Sequence, residues 1–276
     1  MAKDKIGRRA QIWQRAFWLS FAVCLLALAL NIGLSELDPA TNWGIGYGIS
    51  AVVLLLGVVG WAVRRRAMRR VSKWNMGSAR NWLYFHLYGG ILFALLVLMH
   101  SAFRVPNGPL EFWLWALSLW TVLSGILGLG LQKWLPRVLT SGLSVEVLYD
   151  RIPSLAEEVR SRAEKLVQTC PDSVQALYDR ELAPDLIQPR RRLIYFLDIT
   201  GGIQARLKPF NYLKRFLNAE ERDKLDELER LFRTKLEMDA HYTLQYALRW
   251  WLLAHVPPSL LLLLFVALHL FSVWYY

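Results

Sequence analysis

Residues 82–103 read WLYFHLYGGILFALLVLMHSAF, an apolar run with no Lys, Arg, Asp or Glu before Arg104. At about 1.5 Å per residue such a helix covers the roughly 30 Å hydrocarbon core of a bilayer. Two ionisable side chains, His86 and His100, interrupt it. Groups of that kind at membrane depth are rare, costly and usually functional. A second run, HVPPSLLLLLFVALH at residues 255–269, again begins and ends on histidine. His86 and His100 are 14 positions apart, and so are His255 and His269.

Working outward, apolar runs at 16–34, 45–63 and 110–132 are also long enough to span, and the histidine runs widen to spans at 82–103 and 247–275. The expected fold is an all-α membrane protein with five transmembrane helices: a four-helix bundle plus one. Residues 1–133 carry four spans, 134–246 form a small, mostly helical cytoplasmic insertion, and 247–276 carry the fifth. The chain has 276 residues, 55% of them hydrophobic, with 33 Lys plus Arg against 22 Asp plus Glu. The net charge of +11 does not call for a nucleic-acid partner, because the 134–246 segment is charge-balanced. The excess clusters at Lys3, Lys5, Arg8, Arg9 and Arg15 and between Arg64 and Arg80, as positive-inside asymmetry requires. The N-terminus is therefore expected in the cytoplasm and the C-terminus in the periplasm, in a bacterial inner membrane. Ala27-Leu28-Ala29 resembles a signal cleavage site, but the long, Trp-bearing first run favours an uncleaved anchor. Cys24 and Cys170 fall on different sides of this arrangement, so no disulfide is expected, and no Cys-x-x-Cys-His occurs for covalent haem attachment.

In the insertion, Ser154 with Glu157 reads as a capping box opening a helix to about Thr169, with Leu155, Val159, Leu166 and Val167 on one face. Asn218 with Glu221 opens another, striped with Leu225, Leu228, Leu231, Phe232 and Leu236. Residues 193–197 and 203–207 around Thr200-Gly201-Gly202 suggest a short hairpin. The segment has no Gly-x-Gly-x-x-Gly after a strand, no P-loop and no histidine-carboxylate cluster.

In a helix, positions 14 apart lie within about 40° of one face and about 21 Å apart along the axis. Each histidine-bearing helix thus presents two imidazoles at two depths. Arbitrary spacings within a span of about 20 residues would match roughly one time in twenty. Spans three and five run in the same direction, so His86 should face His255 at the inner level and His100 should face His269 at the outer. Two imidazoles per level are too few for zinc, which takes four ligands. They suit a porphyrin that needs only its axial ligands, hence haem b, bis-histidine, twice. The metal ligands are then His86, His100, His255 and His269. His241 continues the 14-residue series but falls below the membrane, opposite Ser72, and reads as solvated or interfacial.

Room for the ring would come from Gly89 and Gly90, from Gly46 and Gly60 at a spacing of 14, and from Ala116 and Gly130 at the same spacing. Pro257 and Pro258 should kink the helix beside His255. Arg80 and Arg249 near the inner level and Arg104 near the outer are candidates for the haem propionates. Trp82, Trp113, Trp250, Trp251 and Trp274 read as an aromatic belt.

These features resemble the dihaem b-type cytochrome superfamily, which includes the cytochrome b of quinol:cytochrome c oxidoreductases and ferric-reductase-like membrane proteins. The likeness rests on the paired His86/His100 and His255/His269, with one helix between, and on the 14-spaced small residues of the flanking spans. It implies haem ligation and transmembrane electron flow between a quinone pool or inner donor and an outer redox partner. That partner would be a c-type cytochrome, an Fe-S protein or a dehydrogenase subunit. The chain departs from the family in lacking a Pro-Glu-Trp-Tyr quinol-oxidation motif and a flavin or nicotinamide module, so the expectation is a subunit of an oxidoreductase complex. Two alternatives stand beside it: a quinone-reactive membrane anchor for a peripheral dehydrogenase or multihaem cytochrome, and a haem-free metal or proton transporter.

Overall fold

A computed structural model describes residues 2–67, 78–142 and 149–275. Arg69, Arg70, Ser72 and Lys73 lie outside the described residues. The described chain is helical: α1 (Ala2–Leu34), α2 (Asn42–Ala67), α3 (Ala79–His100), α4 (Pro109–Gly142), α5 (Ile152–Val167), α6 (Asp172–Leu177), α7 (Ala183–Leu186), α8 (Ile199–Leu213) and α9 (Ala219–Tyr275). Short 3-10 turns lie at Tyr149–Arg151 and Leu193–Phe196, and a π turn at Tyr178–Leu182. No strand occurs among the described residues. Helices α1 to α4 and α9 are long and apolar enough to cross a membrane, and the protein is an all-α membrane protein.

The chain divides into two compact units, residues 1–127 with 254–276, and residues 128–253. In the first, α3 packs on α2 and α1. Tyr47, Ala51 and Leu55 recur along one stripe of α2 and are buried with Phe93, Leu96 and Met99 of α3, Leu117 of α4 and Leu262 of α9. The Tyr47 hydroxyl donates to the Ala27 carbonyl at 3.1 Å, tying α2 to α1. Large apolar side chains elsewhere, such as Leu19, Val23 and Leu26, are exposed. In water that surface would drive aggregation; against lipid tails it costs nothing, and the backbone stays satisfied within each helix.

Helix α3 stops at His100 although the apolar run continues to Phe103. The Phe103 amide donates to Leu98 O at 2.8 Å and the Ala102 amide to Met99 O at 3.2 Å, a Schellman closure. Ala102 holds the left-handed φ of 52° that it demands, at a cost of roughly 1–2 kcal/mol for a residue with a Cβ, and Phe103 follows at 57°. The turn fixes the helix end directly after a histidine.

The second unit contains the 134–246 segment and has its own core. Ile152, Ala156, Val159, Ala163 and Val167 of α5 are buried with Ile199, Ile203, Leu207 and Phe210 of α8 and Leu225, Leu228, Phe232 and Leu236 of α9. The Asn218–Glu221 capping box forms: Glu221 N donates to Asn218 Oδ1 at 2.9 Å and Asn218 N to Glu221 Oε2 at 3.0 Å. The Ser154–Glu157 box does not. Helix α5 starts earlier, at Ile152 with proline in its first turn, where a missing N–H costs nothing; Ser154 Oγ instead donates back to Arg151 O at 2.9 Å. The expected hairpin is also absent. Asp198 caps α8 by accepting from Gly201 N at 2.8 Å, and Ile199, Ile203, Leu207 and Phe210 then follow a helical rather than an alternating period. His241 is 3% exposed, so it is a core residue rather than a solvated one.

Charges are buried in this unit too. Lys235 Nζ bonds both oxygens of Asp239 at 2.9 and 3.0 Å, the Asp185 carbonyl at 2.7 Å and the Gln188 carbonyl at 3.1 Å. Burial pushes the Lys235 ammonium down and the Asp239 carboxyl up, and each group opposes the shift of the other. Removing one member would strand the other charge, a loss of about 3–5 kcal/mol. Arg190, Arg192 and Arg206 converge on the Asp185 carboxylate.

Candidate cofactor site

In the first unit the four intramembrane histidines meet in pairs. The ring centroids of His86 and His255 are 6.3 Å apart with planes at 79°, and those of His100 and His269 are 6.4 Å apart with planes at 74°. Equal spacing on α3 and α9 therefore brings residues together at two levels.

What holds each ring sets its tautomer. His86 Nδ1 lies 3.2 Å from Val58 O and His100 Nδ1 lies 2.8 Å from Gly44 O, both on α2. A carbonyl offers no proton, so both Nδ1 atoms carry hydrogen and both Nε2 atoms keep a lone pair. His255 Nδ1 is 2.9 Å from Ser124 Oγ on α4. That hydroxyl also lies within reach of Thr121 O, at 3.1 Å. The carbonyl partners thus fix His86 and His100 with a bare Nε2. His269 Nδ1 is buried with no hydrogen-bond partner among the described residues.

At the 86/255 level the rings stand too far apart to hydrogen-bond each other directly. Imidazoles sharing a proton at about 2.9 Å N···N would bring their centroids to about 5 Å. Two imidazoles on opposite sides of one metal, with bonds of roughly 2.0–2.1 Å and roughly 1.1 Å more from nitrogen to ring centre, stand about 6.2–6.4 Å apart. No group of three or more His, Cys, Asp or Glu that could hold a metal exists among the described residues.

The prolines beside His255 are part of this construction. Helix α9 runs through Pro257 and Pro258, and Pro258, lacking N–H, frees the Ala254 carbonyl. Trp120 Nε1 of α4 donates to that carbonyl at 2.8 Å, while Ser259 Oγ donates to His255 O at 2.6 Å. The exposed backbone next to the histidine is thereby bonded to α4, which also supplies Ser124.

The glycines divide. A Cβ at Gly46, Gly90 or Gly130 would meet nothing within 4 Å, Gly60 faces the Trp82 ring, and Gly89 faces Val58 and Leu54 as helix-packing glycines do. Ala116 is half-buried. Two glycines outside the expected set touch the rings: a Cβ at Gly48 would come within 3.1 Å of His100, and one at Gly125 within 3.4 Å of His255. Arg80 and Arg104 are exposed. Arg249 belongs to the second unit, where it bonds Asp150 at 2.6 Å and lies over the Tyr149 ring at 3.8 Å. Sequence reasoning also passed over Ser124, Trp120 and the Gly44 and Val58 carbonyls. A signal for Ser124 was present: Ser118, Thr121 and Ser124 form a polar stripe inside an apolar span. Carbonyl partners leave no mark in a sequence.

Comparison with protein-family models, with curated proteins and with solved structures finds no match to this chain.

Proposed function

We propose that this chain is the b-type cytochrome subunit of an oxidoreductase complex, with one haem b held at each histidine level. The observation that carries the reading is the pairing at 86/255: the two ring centroids stand 6.3 Å apart, the separation expected of two imidazoles that would hold one metal between them. Its near-copy at 100/269 extends the reading to two haems. Haem, held by His86 with His255 and by His100 with His269, would supply one-electron iron chemistry.

The chain supplies the rest. Val58 O, Gly44 O and Ser124 Oγ orient the imidazoles and make them stronger ligands by drawing on Nδ1–H. Phe93, Leu96, Met99 and Leu262 pack the space along α3 and α9 and keep water out. Arg80 and Arg104, both exposed, are the cations for propionate carboxylates. The levels lie about 21 Å apart along the helices, which supports electron passage from a quinone or inner donor to an outer c-type cytochrome, Fe-S protein or dehydrogenase subunit. The basic N-terminal segment supports a cytoplasmic N-terminus and periplasmic C-terminus in a bacterial inner membrane. A haem-free transporter for metal ions has less support, because no group of three or more His, Cys, Asp or Glu that could hold a metal occurs among the described residues.

Pyridine haemochrome assay of the purified chain tests the reading. Two b haems per chain are expected, with one lost in a His100→Ala/His269→Ala variant. Fewer than about one haem per chain, or retention of both in that variant, overturns it.

A further inference from the structure

The 3-10 turn Leu193–Phe196 in the second unit exposes apolar side chains that no packing explains: Leu193 is 82% and Leu197 87% exposed, and Ile194 is also exposed. In water each would cost roughly 1.5–3 kcal/mol relative to burial. The turn is nevertheless held firmly. Tyr195 at its centre is fully buried, and Phe196 stacks on Trp134 with centroids 6.4 Å apart and planes at 12°. Arg191 lies 3.9 Å over the Tyr246 ring. These two anchors share one property. Trp134 stands at the end of the apolar stretch of α4, and Tyr246 directly precedes the apolar stretch of α9 that begins near Ala247. Both therefore mark the depth at which a membrane span meets water, the level where aromatic residues gather. A turn clamped to both rings sits at that depth.

Its chemistry fits the place. Arg190, Arg191 and Arg192 lead into the turn. Arg190 and Arg192 share the single Asp185 carboxylate with Arg206, while exposed Arg191 lies over aromatic rings, so the foot of the turn keeps an excess of positive charge. Basic residues beside exposed leucines are the composition of a segment lying in an anionic membrane surface.

We infer that Leu193, Ile194 and Leu197 insert into the acyl boundary of the membrane this chain spans, with the neighbouring arginines at the phosphates of anionic lipid headgroups. The turn is an in-plane anchor that holds the second unit to the bilayer. The inference does not depend on haem. It is tested on the full chain in lipid nanodiscs containing phosphatidylglycerol, with Cys24→Ala and Cys170→Ala as background and a nitroxide on Leu197→Cys. The native side chain is exposed, so the label displaces no core residue. Glu220→Cys, at a site 84% exposed, is the aqueous reference, and Leu268→Cys in the fifth span is the lipid reference.

Collision with oxygen relative to a water-soluble nickel chelate should place Leu197 with Leu268, several-fold above Glu220. The insertion should become shallower when phosphatidylcholine replaces phosphatidylglycerol. A Leu197 label as accessible to nickel as Glu220, or one shielded from both relaxants because a second copy or another protein covers it, would overturn the anchor. Depth indifferent to lipid charge would overturn the role of the arginines.

Discussion

The two histidine levels share the same residue pair and nearly the same separation, 6.3 and 6.4 Å, yet they are supported differently. At 86/255 both Nδ1 atoms are engaged, by Val58 O and by Ser124 Oγ. At 100/269 only His100 is, by Gly44 O, and His269 Nδ1 has no partner among the described residues. A hydrogen bond from Nδ1 pushes electron density onto Nε2 and stabilises the oxidised metal. With haem at both levels as proposed, the 86/255 centre should have the lower potential. In the proposed orientation electrons then run downhill from the cytoplasmic side outward. One fold yields two inequivalent levels by changing a single hydrogen-bond partner.

The largest effect that sharpens this contrast is ligand removal. His255→Ala should empty its own level and leave the other, halving haem content; loss of both haems would show that the levels do not stand independently. Next, Ser124→Ala removes the hydroxyl bonded to His255. Redox titration should show the 86/255 potential rising by tens of millivolts and haem retention there weakening by about tenfold, with 100/269 unmoved. An equal shift at both levels, or none, would remove the supposed cause of their difference.

Smaller effects come from the ring contacts. Gly48→Ala puts a methyl at 3.1 Å from the His100 ring and Gly125→Ala puts one at 3.4 Å from His255. Redox titration should detect the first at 100/269 and little from the second; the reverse order would contradict the packing. The smallest concerns Ala102, whose φ of 52° suits glycine. Ala102→Gly should stabilise the turn after His100 by about 0.5–1 kcal/mol once the entropy cost of glycine is deducted. Thermal melting in detergent should show it as a modest rise in Tm, and a fall would mean the turn is not strained.

The five spans were legible because membrane length and apolarity are properties of composition alone. The pairing was legible because α3 and α9 run parallel with equal spacing, so matching numbers become matching depths. The continuity of α9 was harder. The change from charged to apolar residues near 247 looks like a boundary, but it marks a change of solvent, and no Gly or Pro between 219 and 256 interrupts the hydrogen bonding. The hairpin expectation failed at Thr200-Gly201-Gly202, where glycine suggested a turn and Asp198, three residues before Gly201, was the stronger instruction. His241 was misjudged because the second unit's core extends along α9 to Leu244, beyond where its charged composition ends. The supports of the rings stayed hidden, since two of them are backbone carbonyls.

Low-temperature electron paramagnetic resonance of the oxidised, haem-loaded chain tests the central claim most directly. Imidazole planes at 79° and 74° predict two low-spin ferric centres of the strongly anisotropic kind that near-perpendicular axial histidines produce. High-spin iron, a single centre, or the rhombic spectra of parallel imidazoles would contradict it.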